Sequence, residues 1–260
     1  MLSSRIVFFL YAIFIFSAQA ELAQSLTPRC SNDKGNYTAN SSSTYEANLN
    51  HLLSSFSSDT KIDYGFYNSS YGQNSDQVYA IGLCRGDVNP DVCRGCLKNA
   101  TSALKQLCPN QKEAIGWYDY CMLRYSNRSI YGVLETIPEF NLWNPEDMPA
   151  NYVDQFNDDL RTLMESLSSQ AVAGGPLLKF ATGNRSVPNF KTLYGLVQCT
   201  PDLSEKDCSD CLRGEIEYIP ECCDRKRGGQ INRPSCKLRF EVYPFYNYST
   251  AAASEKGNHI

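Results

Sequence analysis

A Cys-x8-Cys-x2-Cys motif occurs twice in this chain of 260 residues, first at Cys84 and again at Cys199. The copies lie 115 residues apart, and five cysteine pairs match at that one offset: Cys84/Cys199, Cys93/Cys208, Cys96/Cys211, Cys108/Cys223 and Cys121/Cys236. Five coincidences at a single offset indicate a duplicated domain. With only two copies, the chain is predicted to be a tandem pair of domains, because open solenoids generally need three or more repeats.

The apolar residues predict the same order of elements in each copy. Helical spacing brings four of them onto one face in the first copy, Leu49, Leu52, Leu53 and Phe56, and in the second, Leu160, Leu163, Met164 and Leu167. A further helix is predicted over 91–107, with the apolar face Val92, Cys96, Ala100, Ala103, Leu104 and Leu107. Short apolar and aromatic runs predict strands at 77–84, 113–118, 121–125, 192–199, 230–232 and 236–243. The pattern is typical of α+β domains in which two helices pack on an antiparallel sheet.

The ends of the chain and its middle set the predicted domain boundaries. Residues 1–20 combine Arg5, an apolar run over 6–16 and the small residues of Ala18-Gln19-Ala20, which predicts a signal peptide that is cleaved before Glu21. Residues 137–150 contain three prolines and a tryptophan, and we interpret them as a linker. The first domain is therefore predicted over 21–136, the second over 151–250, and a polar tail over 251–260.

Entry into the secretory pathway predicts oxidised cysteines, and the even count of twelve agrees with pairing. Asn-x-Ser/Thr sequons agree with the same compartment and mark seven candidate glycosylation sites: Asn36, Asn40, Asn68, Asn99, Asn127, Asn184 and Asn247. No apolar stretch after residue 21 approaches the length of a membrane span, so no membrane insertion is expected.

Composition argues against several functional classes. The net charge of −4 lacks the basic excess that nucleic-acid binding requires. The chain has only two histidines, His51 on the polar face of a predicted helix and His259 in the tail, so neither a histidine-activated nucleophile nor a metal centre is predicted. A carboxylate pair such as glycosidases use has no sequence signature, and nothing marks one here. We predict a protein that is not an enzyme and has no cofactor.

Several motifs together resemble the plant cysteine-rich repeat secretory proteins. They are the cysteine motif itself, an Asp three residues after its first cysteine (Asp87 and Asp202), a closing Cys-x-Leu-Arg-Tyr/Phe, and the sequence QCTPDLS at 198–204. The domain of that family is the ginkbilobin-like, stress-antifungal domain, which is also found in pairs in cysteine-rich receptor-like kinases. The resemblance covers both units. It implies two helices against a five-stranded antiparallel sheet in each domain, and secretion into the apoplast.

The resemblance also implies a disulfide scheme. Carried onto the matching positions, it gives Cys30–Cys108, Cys84–Cys93, Cys96–Cys121, Cys199–Cys208 and Cys211–Cys236. At the offset of 115, the position that matches Cys30 is Pro145, so Cys222 and Cys223 remain without other partners. A vicinal disulfide between these two is the preferred interpretation, with free thiols or an intermolecular bridge as the alternatives.

The founding member of the resembled family is a mannose-binding antifungal lectin, which contacts the sugar through an Asn, an Arg and a Glu. The first unit has Ser31, Ile115 and Ser126 at those positions. In the second unit the Arg position holds Gln230 and the Glu position holds Glu241, while no cysteine anchors the Asn position. Gln230 and Glu241 are therefore the candidate ligand-binding residues.

The sequence thus predicts a secreted binding protein of plant stress or defence that recognises an extracellular protein or cell-wall carbohydrate. One alternative is a mannose-type lectin with antifungal activity. Another is a docking partner for the ectodomains of cysteine-rich receptor-like kinases.

Overall fold

The computed structural model of the protein describes residues 26–38, 43–187 and 192–247. The first unit contains β1 (Thr27–Cys30), α1 (Thr44–Ser58), β2 (Phe66–Tyr71), β3 (Val78–Cys84), α2 (Pro90–Leu107), β4 (Ala114–Trp117) and β5 (Cys121–Ser126). The second unit contains β6 (Phe140–Trp143), α3 (Val153–Val172), β7 (Lys179–Arg185), β8 (Leu193–Cys199), α4 (Glu205–Cys223), β9 (Gly229–Asn232) and β10 (Cys236–Glu241).

Each unit forms one five-stranded sheet with two helices on one face. The strand orders are β1-β4-β5-β3-β2 and β6-β9-β10-β8-β7, and every neighbouring pair is antiparallel. The two orders are the same when the elements are matched unit to unit. The prediction of two tandem α+β domains is therefore confirmed.

Local sequence explains where the helices begin and which face they bury. The side chains of Ser43, Asn89 and Ser204 each accept a hydrogen bond from a backbone N–H in the first turn of α1, α2 and α4. The apolar face predicted for α1 is buried against the sheet, as is the face predicted for α3. Burial of these faces contributes to the hydrophobic stabilisation of each unit.

The apolar face predicted for α2 is partly wrong. Val92 is 37% exposed and Leu107 is 52% exposed, whereas the buried side chains of this helix are Cys93, Leu97, Ala100 and Leu104. The disulfide from Cys93 to Cys84, at the end of β3, turns this face of the helix toward the sheet. The buried residues also follow helical spacing, so the rotation of α2 agrees with this apolar face and with the disulfides to β3 and β5.

The segment predicted as a linker contains a strand of the second sheet. Residues Phe140–Trp143 form β6, which pairs with β9 and takes the position that β1 has in the first sheet. The interpretation of 137–150 as a linker is corrected accordingly. The prolines flank this strand and do not interrupt it, and an edge strand needs hydrogen-bond partners on one side only.

Six disulfides cross-link the chain. Five of them connect separate parts of a unit with Cα–Cα distances of 5.4 to 6.1 Å: Cys30–Cys108, Cys84–Cys93, Cys96–Cys121, Cys199–Cys208 and Cys211–Cys236. The sixth joins the adjacent Cys222 and Cys223 at the end of α4. The second unit therefore has no bridge from its first strand to the end of its second helix, which is the bridge that Cys30 and Cys108 make in the first unit.

The two units hold each other through a reciprocal contact. Asp87 of the first unit accepts a hydrogen bond from the backbone N–H of Asn247 at 2.9 Å, and Asp202 of the second unit accepts one from Gly132 at 2.8 Å. Gly132 and Asn247 are themselves 115 residues apart, as are the two aspartates. The Asp of the repeated motif therefore binds the segment that follows the last strand of the opposite unit.

Candidate functional site

A groove of about 390 Å³ lies on the sheet face of the second unit that does not carry the helices. Its lining comes from the ends of β6, β9 and β10 and the residues after them: Leu142, Trp143, Asn144, Pro145, Gly229, Gln230, Arg239, Glu241 and Tyr243. Leu238 and Phe240 are buried in the core beneath the helices. Because side chains alternate along a strand, Arg239 and Glu241 lie on the opposite face, in the groove.

Glu241 is the acidic residue among those that line the groove. Glu241 is only 7% exposed, and its Oε2 accepts a hydrogen bond from Asn144 Nδ2 at 3.1 Å. The carboxylate packs directly on Gly228, where an added Cβ would stand 2.0 Å from Oε2. A glycine at 228 therefore leaves the space that this carboxylate fills.

Gln230 lines the same groove on the neighbouring strand. It stands opposite Leu142 of β6 on one side and opposite Arg239 of β10 on the other. Its Nε2 donates to Asn232 Oδ1 at 2.9 Å, which fixes the amide. The two candidate ligand-binding residues of the sequence, Gln230 and Glu241, thus line one groove.

Sequence reasoning missed Asn144. Cys30 pairs with Ala114, and the equivalent pair in the second sheet is Trp143 with Gly229, so Trp143 takes the place of Cys30 and Asn144 that of Ser31. The backbone repeats the match, because Ser31 N donates to Glu113 O and Asn144 N donates to Gly228 O. Pro145 is therefore not the counterpart of Cys30.

The signal that identifies Asn144 is a shift in the repeat offset. The first strands of the two units match at an offset of 113 residues, whereas the motif cysteines match at 115, so the first strand and the motif are two residues further apart in the second unit. With that shift, an Asn occupies the Asn position of the resembled lectin. The second unit thus has Asn144, Gln230 and Glu241 at the three positions.

Arg239 turns from the groove toward the first unit. Its Nη1 forms a salt bridge with Asp119 Oδ1 at 2.7 Å, and its guanidinium lies 4.3 Å from the centroid of the Phe245 ring. Asp119 also binds Arg85 at 3.1 Å, and Arg85 in turn binds Asp87. A charged chain therefore runs from the groove to the contact between the units.

Three exposed apolar or aromatic side chains flank the polar residues, and one of them is Trp143, which is 56% exposed. Leu142 is 50% exposed on β6, and Tyr243 is 46% exposed just after β10. Partial burial and then the neighbouring Glu241 charge raise the pKa of Tyr243, whose hydroxyl also interacts with Arg239. The groove thus combines amide donors, a carboxylate acceptor and an aromatic ring with an open face.

The equivalent surface of the first unit is filled by its own charges. Glu113 stands where the second unit has Gly228, and its carboxylate binds Arg124 at 2.8 Å and accepts from Ser126 Oγ at 2.8 Å. Glu135 and Arg128 close the network around them. Ile115 and Ser126 are buried, at 2% and 0% exposure, so these positions of the first unit are closed to a ligand, and the candidate site is assigned to the second unit.

The remaining site predictions fall on the surface. Six sequon asparagines lie in the described ranges and all are exposed, Asn36, Asn68, Asn99, Asn127, Asn184 and Asn247, while Asn40 lies outside those ranges. They stay predictions. In the part of the chain that the structure describes, no cluster of three His, Cys, Asp or Glu side chains has the arrangement of a metal site. Over the same ranges, no helix combines the length and apolarity that crossing a membrane requires.

Comparison with known protein families shows which family the chain matches. The family model described as salt stress response/antifungal matches it twice, over residues 29–128 and 145–243. The chain belongs to this family. The second match begins after β6, so the strand that carries Leu142 and Trp143 lies outside it.

Relatives of known sequence include secreted proteins of similar length. Cysteine-rich repeat secretory protein 38 of Arabidopsis thaliana is 39% identical over 249 residues, which cover 93% of this chain and 96% of the relative. The antimicrobial ginkbilobin-2-like protein of Castanea crenata is 39% identical over 247 residues, covering 94% and 99%. Family members of this kind are secreted proteins, and the protein is extracellular.

Other relatives are much longer. Cysteine-rich receptor-like protein kinase 29 of Arabidopsis thaliana is 48% identical over 218 residues, which cover 83% of this chain and 32% of the kinase. The chain therefore spans about a third of the length of such kinases. Among solved structures, the tandem DUF26 ectodomain of the Arabidopsis thaliana receptor-like protein PDLP5 matches with a TM-score of 0.65, 29% identity, and coverage of 85% of this chain and all of that one. The corresponding PDLP8 ectodomain, at 21% identity and a TM-score of 0.67, covers 83% of this chain and 96% of its own, and it supports the fold alone.

Proposed function

We propose that this family member is an apoplastic binding protein of plant stress or defence, and that the groove of its second unit recognises carbohydrate. The observation that carries the proposal is the pair formed by Asn144 and Glu241, 3.1 Å apart, with Gln230 in the same groove. These residues occupy the Asn, Arg and Glu positions of the resembled mannose-binding lectin. The antimicrobial relative in Castanea crenata supports a role in defence.

The chemistry of the groove suits a neutral sugar. A carboxylate accepts hydrogen bonds from two adjacent hydroxyls, and an amide both donates and accepts. The ring of Tyr243 offers an apolar surface beside them, on which the C–H face of a pyranose can pack. Gln230 in place of an Arg removes one cation, so hydrogen bonding rather than charge is expected to select the ligand. We propose no cofactor and no catalytic step, and recognition uses protein side chains only.

The proposal predicts that two substitutions in the groove strongly weaken glycan binding. The mature chain is screened against mannan, β-glucan, chitin and polygalacturonate oligosaccharides, and the best ligand is then titrated against Asn144→Ala and Glu241→Gln. Each change removes a hydrogen bond between the glycan and a side chain of the groove, so affinity is expected to fall about tenfold or more.

The matched control for that screen is Glu165→Gln. Glu165 lies on α3 with a side chain that is 61% exposed, so the same change is made far from the groove. Unchanged affinity in Glu241→Gln would exclude the groove as the binding site. Hydrolysis of any glycan in the screen would show instead that the protein is an enzyme.

A second candidate function is docking on the ectodomain of a related receptor-like kinase. The 48% identity to kinase 29 favours it, because paired domains of this family pack against each other within this chain. Tyr246 is only 7% exposed and Phe245 packs on Arg239, so these aromatic residues stabilise the second unit and are poor probes of docking. Co-purification with a kinase ectodomain that persists in Glu241→Gln would favour docking over glycan recognition.

A further inference from the structure

Arg239 and Glu241 carry opposite charges on the same face of β10, two residues apart. Each has a partner of its own outside β10, and the Tyr243 hydroxyl interacts with both. Arg239 binds Asp119 of the first unit at 2.7 Å, and Glu241 binds Asn144 at 3.1 Å. Residues two apart on a strand are neighbours on one face, so a direct salt bridge between them is sterically available. The first unit therefore supplies the carboxylate that occupies the guanidinium.

The first unit shows the alternative arrangement. Arg124 has the strand position of Arg239, since Arg124 pairs with Ile115 and Arg239 pairs with Gln230. Arg124 binds Glu113 at 2.8 Å, and this carboxylate also accepts from Ser126, the residue at the position of Glu241. Both carboxylates that bind Arg124, Glu113 and Glu135, belong to its own unit. In the first unit the arginine at this position, Arg124, forms a salt bridge within the site. In the second unit Arg239 binds Asp119 instead, and the site stays open.

We infer that Asp119 is a positioning residue for the groove: it holds Arg239 away from Glu241 and so keeps the Glu241 carboxylate available as a hydrogen-bond acceptor for a ligand. This inference rests on the proposed carbohydrate recognition. The Asp119–Arg239 pair is well placed to act in this way, because the two side chains are only 27% and 18% exposed. Charged hydrogen bonds shielded from water are stronger than exposed ones.

Asp119 is itself held in place by the first unit. Its Oδ2 binds Arg85 Nη1 at 3.1 Å, and Arg85 makes two further bonds to Asp87 at 2.6 and 2.9 Å. Asp87 is the motif Asp that accepts from Asn247 of the second unit. The first unit therefore contributes to ligand binding without contacting the ligand, and the complete site requires both units.

The test is the variant Asp119→Ala, with Asp119→Asn as a second variant that preserves the side-chain shape. In a crystal structure of either variant we expect the Arg239 guanidinium within salt-bridge distance of Glu241. Affinity for a mannan oligosaccharide is expected to fall about tenfold, which corresponds to the loss of one charged acceptor. The double variant Asp119→Ala/Arg239→Gln should bind more tightly than Asp119→Ala alone, because no guanidinium is left to occupy Glu241.

This gain in affinity separates a positioning role from a general structural effect. If Asp119→Ala merely damaged the structure, a second substitution in the same contact would lower the affinity further. If Glu241→Gln leaves oligosaccharide binding unchanged, the proposed function fails. If Glu241→Gln abolishes binding while Asp119→Ala has no effect, only this inference fails. If the parent binds no oligosaccharide, the crystal structure still decides, because an Arg239 that stays away from Glu241 in both variants would overturn the inference.

Discussion

At the scale of single residues, each unit places a carboxylate at the equivalent part of its sheet, but from a different position in the chain: Glu113 directly precedes β4, whereas Glu241 ends β10. The first unit has Glu113 beside Ser126, and the second has Gly228 beside Glu241. Each pair combines one long acidic side chain with one small residue, which keeps the volume nearly constant. In the second unit the acidic side chain lies on the last strand of the sheet, β10, where it faces Asn144 and the open groove.

Substitution of Gly228 by Ala should damage both stability and the groove. The added Cβ would overlap the Glu241 carboxylate, so Glu241 must move and lose its bond to Asn144. We expect the free energy of unfolding to fall by about 1–3 kcal/mol. The control is Gly95→Ala on α2, where nothing lies within 4 Å and the higher helix propensity should stabilise slightly. Chemical denaturation measures both, and equal stability of the two variants would contradict the packing described.

A buried acid makes the stability of the second unit depend on pH. Glu215 of α4 is fully buried, and neither carboxylate oxygen has a hydrogen-bond partner among the described residues. Burial raises the pKa of Glu215 well above its ordinary value of 4.5; Arg233 lowers it in part, and Glu139 raises it further. Glu215 therefore binds its proton more tightly in the folded state than in the unfolded state. The free energy of unfolding falls as pH rises above about 4.5, because the unfolded chain then loses this proton first.

Replacing Glu215 with Gln should remove this pH dependence. The neutral amide needs no proton to remain buried, so the variant is expected to gain about 1–3 kcal/mol at pH 7. The gain should shrink toward zero near pH 4, where the parent is already protonated. Urea denaturation at a series of pH values measures it, with Glu217→Gln on the exposed face of the same helix as control. A gain that is constant across pH would show that Glu215 is not the titrating group.

At the scale of elements, the sequence is informative wherever a local period and burial agree. The faces of α1 and α3 follow helical spacing, and both are buried as predicted. Strands β2 and β7 escaped prediction because they lie at sheet edges, where four of six and two of seven residues are exposed and no clear alternation arises. Strand β6 was hidden by flanking prolines, and with it Asn144, because register across a sheet is a tertiary property.

The disulfides at the element scale should differ strongly in their contribution to stability. Cys30–Cys108 closes a loop with a sequence separation of 78, whereas Cys222–Cys223 has a separation of 1. In the chain-entropy model, replacing Cys30 and Cys108 with Ser should cost about 4 kcal/mol, and replacing Cys222 and Cys223 should cost little. Denaturant midpoints of the two double variants measure this difference. Equal losses would show that the adjacent pair stabilises by another mechanism.

At the scale of the whole molecule, the duplicated units differ in the surface around the groove while each contacts the other in the same way. Each motif Asp binds the segment that follows the last strand of the other unit, and Asp119 extends that contact to Arg239 beside the groove. Repeated cysteines predicted the frame of both copies. Which copy keeps an open site depends on pairs across strands, such as Gly228 with Glu241, which no periodicity along the chain encodes.

The central claim is that carbohydrate binds in the groove of the second unit, and an NMR titration tests it most directly. The isotope-labelled mature chain is titrated with the oligosaccharide that binds best in the glycan screen. We predict that the largest shift changes fall on the side-chain amides of Asn144 and Gln230 and on the backbone of Glu241 and Tyr243. Shifts confined to the first unit, or the absence of any shift at saturating oligosaccharide, would contradict the account.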